Sequence, residues 1–241
     1  LAVNQRIANF LIQYRLALFL FSLLLIGVSA VGLGKIKYVS DYKVFFAPND
    51  PYLKAFEELQ NTFTKADNVV YLVVPKDGNM FSKEALNAVQ WLTARGWKTP
   101  YSLRVDSLSN FQYTHANGDD LIVEDLVSKN LKGDASELQH IHDVAMNEPM
   151  LRKKMLAPNG DASLVAITLE LPEEQTLALA ELMESADGVN NTVEQFKKLY
   201  PEIDIHVTGV AITNYTLGVV AAKDFGILMP LLLLVVLTLV G

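Results

Sequence analysis

The chain has 241 residues, 51% of them hydrophobic and 20% charged, and a formal net charge of -7 at pH 7. An acidic balance without a cationic stripe argues against nucleic acid as a partner, because a phosphate-binding surface needs clustered Lys and Arg. Without cysteine, the chain can form neither a disulfide nor a thiolate metal site.

The apolar excess is concentrated at the two ends. Near the start, Ile7, Phe10, Leu11 and Tyr14 share one helical stripe opposite Gln5, Arg6 and Asn9. Residues 1–15 therefore read as an amphipathic segment along the membrane surface, or as a helical extension of the span that follows. Leu16–Gly34 holds no charge, and its only serines are Ser22 and Ser29. About 19 residues at a 1.5 Å rise make a helix of roughly 28 Å, close to the ~30 Å hydrocarbon core of a bilayer. Its apolar run exceeds the roughly 7–15 residues of a signal core, so residues 16–34 are expected to be a retained transmembrane helix.

Residues 35–66 form an exit segment and a helix. Val44-Phe45-Phe46-Ala47-Pro48 is extended and apolar. Asp50-Pro51 then starts a helix, with Asp accepting from orphan N–H groups and Pro preset for the first turn. Tyr52, Phe56, Leu59 and Phe63 follow at helical spacing, which predicts one buried face.

Two strand–helix–strand patterns come next. Asn68–Val74 is apolar on both faces, as in a central strand covered on both sides. Ser82 caps a helix that Gly96 ends, and Phe81 with Leu86 suits a hydrophobic staple. Tyr101, Leu103 and Val105 then alternate with polar residues, as in a half-buried strand. The second pattern begins with Val165, Ile167, Leu169 and Leu171, again alternating. A helical stretch opens at Pro172-Glu173-Glu174, breaks at Asp187-Gly188 and stops at Pro201, and Ile203, Ile205 and Val207 alternate after it. The repeat predicts a split βαβ, ferredoxin-like sheet, or two small sheets. Between the patterns, about residues 109–160 read as an insertion: a loop from Ser107 to Asp120, then helices that include Leu121–Lys129 and Ser136–Met146. Asn159-Gly160-Asp161 makes the turn back. At the end, residues 210–224 read as a connecting helix and residues 225–241 as a second transmembrane helix, kinked at Pro230 and cut short by the end of a piece of a longer protein.

Chemistry-bearing groups are sparse. His140 and His142 lie two residues apart on a predicted helix, where they do not share a face, so they read as surface histidines rather than a metal site. Asp119-Asp120, Glu124-Asp125 and Glu173-Glu174 read as caps and solvated faces. Hydrolase, dinucleotide, P-loop and zinc-protease motifs do not occur. No catalytic residue, metal or cofactor is therefore expected. Phe111 and Tyr113 place two aromatics beside polar groups in a loop, where they could meet an amphiphilic ligand or pin the loop to its own core.

Three stretches carry a resemblance: DYKVFFAPNDPYLKAFEELQNTF after the first span, RVDSLSNFQYTHANGDDLIVEDLV after the second strand, and the closing VTGVAITNYTLGVVAAKDFGILMPLLLL. They resemble the resistance–nodulation–division (RND) superfamily, in its MMPL-type, Patched-like branch of exporters. The resemblance implies an α+β membrane protein: transmembrane helices flank an extracytoplasmic domain of two ferredoxin-like βαβ porter subdomains, here residues 67–209. It implies proton-driven export or movement of lipids or other hydrophobic molecules, with the relay in later spans and no relay residue in this chain. Phe45, Phe46, Phe111 and Tyr113 are the expected substrate-lining positions. The setting implied is a multi-pass protein of the bacterial inner membrane with its central domain in the periplasm. Expected partners are membrane lipids, the hydrophobic or lipid substrate, the remaining half of the same transporter, further copies in a homo-oligomer and periplasmic accessory proteins. A membrane-anchored sensor or ligand-binding domain of a signalling receptor is the competing reading.

Overall fold

The computed structural model describes residues 10, 12–21, 24, 28, 46–47, 49–62, 67–152, 154–172 and 175–240. They fall into two compact units, Leu1–Val39 and Ser40–Gly241. In the first unit residues 15–21 are helical, and the Phe10 and Tyr14 rings pack 4.9 Å apart, one turn from each other as their spacing predicts. Of the expected span at 16–34, residues 16–21, 24 and 28 are described and helical, and the remainder lies outside the described residues.

The second unit opens with helix α1, Pro51–Thr62. Asp50 Oδ1 accepts from the N–H groups of Tyr52 (2.8 Å) and Leu53 (3.2 Å), which is the cap expected at this position. The predicted buried face is corrected. Tyr52 is 82% and Leu59 54% exposed, whereas Leu53 is buried and Phe56 half-buried. The helix docks along the Leu53–Phe56 edge, which keeps Phe56 of the predicted stripe, while Phe63 lies outside the described residues.

Strand β1 (Asn68–Pro75), helix α2 (Lys83–Gly96) and strand β2 (Ser102–Ser107) make the first βαβ unit. Strand β5 (Ser163–Leu169), helices α5 (Gln175–Glu184) and α6 (Val189–Leu199), and strand β6 (Ile203–Thr208) make the second. The units do not build two sheets. They interleave in one, in the order β2-β5-β1-β6, with every neighbouring pair antiparallel. Each unit's own two strands are thus parallel and separated by a strand of the other, the split βαβ, ferredoxin-like arrangement. Where the resemblance implies two such subdomains, the described residues hold one four-stranded sheet.

On one sheet face Val69, Tyr71, Val73, Val105, Val165, Ile167, Leu169, Ile203 and Ile205 are buried together with Leu86, Val89, Leu92, Leu179 and Phe196 from the helices. The other face carries half-buried Val70, Leu72 and Val74 beside exposed Asp204 and His206, so β1 is apolar on both faces but fully buried on one. At the β2 edge the register shifts between Ser102 and Arg104. That irregularity turns Leu103 outward, 48% exposed, where simple alternation predicts it inside.

The insertion holds a hairpin that the sequence reading missed. Strands β3 (Gln112–Asn117) and β4 (Asp120–Asp125) pair antiparallel, with Asn117 opposite Asp120. Leu121–Asp125 is therefore strand, not helix. Gly118, at φ +64, takes the first place of the two-residue turn, where glycine is favoured, and the β-branched Ile122 and Val123 suit a strand once β3 supplies a partner. Helix α3 (Ala135–Asn147) follows, capped by Asp134, then the short helix α4 (Pro149–Arg152).

Helix α7, Val210–Val240, leaves the end of β6 and runs unbroken for 31 residues through Pro230. Its Val210–Val236 stretch, whose most apolar part reaches a mean hydropathy of 2.2, is long and apolar enough to cross a membrane. The expected connecting helix and second span are parts of one helix.

Candidate functional site

Where β2 leaves the sheet, four polar side chains tie Ser107-Leu108-Ser109-Asn110 to α2. The oxygens of Thr93, Ser107 and Ser109 form a buried triangle with sides of 2.8, 3.0 and 2.9 Å. Thr93 donates to the Val89 carbonyl at 2.7 Å, within its own helix. Asn110 Oδ1 accepts from the Ser107 N–H (2.8 Å) and hydroxyl (2.9 Å), and its Nδ2 donates to the Val105 carbonyl at 2.7 Å. Each hydroxyl has one proton: Thr93 satisfies Val89, Ser107 satisfies Asn110, and Ser109 donates into the triangle. Anchored to the Val89 and Val105 carbonyls and the Ser107 N–H, this buried network fixes the direction in which the chain departs.

That tied segment is the wall between two cavities. One, of about 580 Å³, is lined by Gln90, Thr93, Trp97, Asn110, Gln112 and Lys129 among others. The second, of about 340 Å³, takes in Arg104, Asp106, Phe111, Met150, Lys154 and Met155. Both volumes fall in the range of roughly 300–1,000 Å³ usual for small-molecule sites. Asn110 and Gln112 belong to both walls. In the second cavity, Phe111, Leu151 and the two methionines give an apolar, adaptable surface, while Arg104 and Asp106 pair at 2.7 Å on its polar side. An apolar wall beside a neutralised ion pair suits an amphiphile.

The four expected lining residues are not brought into one site. Phe45 lies outside the described residues. Phe46 is 47% exposed on the segment before α1, and the cavity that Phe111 lines includes neither Phe46 nor Tyr113. Phe111 and Tyr113 are half-buried against the core. Tyr113 stacks on His115, ring centroids 5.1 Å apart, and meets the His140 ring edge-on at 5.7 Å, fastening the hairpin to α3. His142 points away from that contact, with Nδ1 3.0 Å from Asp143 Oδ1 and its ring against Phe81. Among the described residues no cluster of three His, Asp or Glu could hold a metal ion. The sequence reading missed Met150, Met155 and Arg104, which come from separate elements and meet only through the fold. No local sequence signal marks them, because the neighbours of Met150 and Met155 in the chain include no aromatic.

At the far end of the sheet, β6 passes into α7 through Gly209, at φ +124. A Cβ there would lie 2.4 Å from the Asn68 carbonyl oxygen. The close approach lets Asn68 Oδ1 on β1 accept from the Val210 N–H at 2.9 Å, capping α7 from the centre of the sheet. Tyr215 on α7 also donates to Glu184 Oε1 of α5 at 2.6 Å. The long apolar helix is thereby bonded to the domain at two places.

The family model described as MMPL family matches residues 44–240, from the exit segment through α7. Among curated proteins none matches the chain.

Proposed function

The chain belongs to the MMPL family, which sets it among RND-type membrane transporters of hydrophobic substrates, and from that membership we propose a proton-driven transporter that exports or moves lipids or other hydrophobic molecules, with this chain as its N-terminal part. Proteins of the family are transporters, not enzymes. The observation that carries the proposal is the direct bonding of a ferredoxin-like domain to a membrane-length apolar helix within the matched residues. Such a joint can pass movement between a membrane bundle and a domain that holds substrate. The match also favours transport over a membrane-anchored sensor.

On this reading residues 16–34 and the lower part of α7 are spans of a multi-pass inner-membrane protein, with the sheet domain in the periplasm. The partners are the lipid or hydrophobic substrate, membrane lipids, the remaining half of the transporter, further copies in a homo-oligomer and periplasmic accessory proteins. Protons act through residues in other spans, since Phe225–Val240 carries no charge. Phe45, Phe46, Phe111 and Tyr113 line the substrate path, Phe111 through the cavity beside Arg104 and Met155.

The test is the complete transporter reconstituted in proteoliposomes with a fluorescent lipid. An imposed pH gradient should drive its movement, and a protonophore should abolish it. Movement indifferent to the protonophore overturns the proton drive. If replacing the four aromatics by Ala leaves both transport and lipid binding unchanged, their lining role is lost.

A further inference from the structure

The β3–β4 hairpin presents an open strand edge. The Leu126 N–H donates to the Phe111 carbonyl at 2.8 Å, which makes these two a hydrogen-bonded pair and fixes the phase of the ladder. Towards the turn, Tyr113–Glu124, His115–Ile122 and Asn117–Asp120 are then hydrogen-bonded pairs, and Thr114–Val123 and Ala116–Leu121 are not. The N–H and C=O groups of Leu121 and Val123 therefore point away from β3, and among the described residues they meet no partner. Their side chains share one face of the strand and are 72% and 55% exposed. An open edge with large apolar side chains is a template for a further strand.

The charge on this hairpin is of one sign. Residues 112–125 hold Asp119, Asp120, Glu124 and Asp125 and neither Lys nor Arg. Glu124 has His115 Nδ1 at 3.9 Å, and Asp125 accepts from the neutral Gln112 amide at 2.6 Å. These charges argue against a second copy as the added strand. Antiparallel pairing of β4 with itself, centred on Ile122, sets Asp120 against Glu124 of the other copy, and centring it on Val123 sets Leu121 against Asp125. We propose that the β4 edge docks an extended segment of another protein, one in which Lys or Arg alternates with apolar residues. The segment adds as a further strand, its main chain bonded to Leu121 and Val123. Its apolar side chains lie beside those two residues, and its cations lie on the opposite face beside Asp120 and Glu124. The surface depends on register, exposure and charge, and not on the transport reading.

The experiment uses the full chain in phosphatidylcholine nanodiscs and the labelled peptide acetyl-Lys-Val-Lys-Val-Lys-Val-amide, with empty nanodiscs as background. Binding is read by fluorescence anisotropy and located by amide hydrogen exchange, residue by residue. Without peptide, the Leu121 and Val123 amides should exchange quickly and those of Ile122 and Glu124 slowly; bound peptide should slow the first pair. The same peptide with its backbone nitrogens methylated keeps every side chain but cannot donate, and should bind about tenfold more weakly. Val123→Pro removes an edge N–H and no bond to β3, so it should weaken binding about tenfold while Ile122 and Glu124 stay protected. The double variant Asp120→Lys/Glu124→Lys should prefer acetyl-Glu-Val-Glu-Val-Glu-Val-amide, which the wild type should not bind. Equal binding of the methylated or the acidic peptide by the wild type overturns the proposal. So does peptide-induced protection that omits Leu121 and Val123. If Val123→Pro unfolds the hairpin, the charge-swapped variant decides, and its keeping the basic preference overturns the proposal. Protection of Leu121 and Val123 that rises with protein concentration, without peptide, assigns the edge to a second copy and overturns it too.

Discussion

Two glycines show how differently the same residue is used. Gly118 has φ +64 with open space around it, so Gly118→Ala meets only backbone strain and should cost about 1 kcal/mol. Gly209 combines φ +124 with a Cβ position 2.4 Å from the Asn68 carbonyl, so Gly209→Ala should cost about 3 kcal/mol or more. Denaturant unfolding of the two variants checks the contrast, and equal losses would show that the β6–α7 junction is not tight. Asn110 is the other sensitive position. Asn110→Ala leaves the Ser107 N–H and the Val105 carbonyl without their partner and should cost about 2–3 kcal/mol by the same measurement. The capping residues Asp50 and Ser82 were legible in the sequence, because a cap is a local contract between neighbours. Asn68 and Asn110 were not. Their roles depend on strands and helices far away in the chain, and an asparagine in isolation is as much a turn residue as a clasp.

Among the elements, α3 carries a pH-dependent contribution at its start. Asp134 is held below its ordinary value of 3.8, first by the Ser136 hydroxyl and next by the Glu137 N–H. A depressed carboxyl favours the folded state when ionised. Its stabilisation is therefore present above about pH 3.8 and is lost as pH falls through the lower folded-state value. Asp134→Asn keeps a capping oxygen but does not titrate, so its unfolding midpoint should change less between pH 5 and pH 2 than that of the wild type, both being read by circular dichroism. The helices and four main strands were legible from periodicity, and the β3–β4 hairpin was not. Its polar outer residues hide the alternation, although the β-branched Ile122 and Val123 favour a strand.

At the scale of the whole molecule, interleaving decides what can fold. β1 and β2 are never neighbours: β5, from the other half of the sequence, sits between them. Residues 67–111 produced alone should therefore lack the sheet, while co-production with the chain from residue 112 onward should restore it, as amide hydrogen exchange would show. A first half that is protected on its own would contradict the single-sheet architecture. The sequence displayed two βαβ patterns but not whether they would share a sheet, because strand order is settled by long-range pairing that no local period encodes. The clasp between Asn68 and the start of α7 has a mechanical meaning at this scale. The helix is about 46 Å long at 1.5 Å per residue, and it is fixed at one end to a strand with neighbours on both sides. A tilt of about 5° at that fulcrum would sweep the far end through about 4 Å, because the helix runs unbroken through Pro230 and carries any turn at its root to its tip.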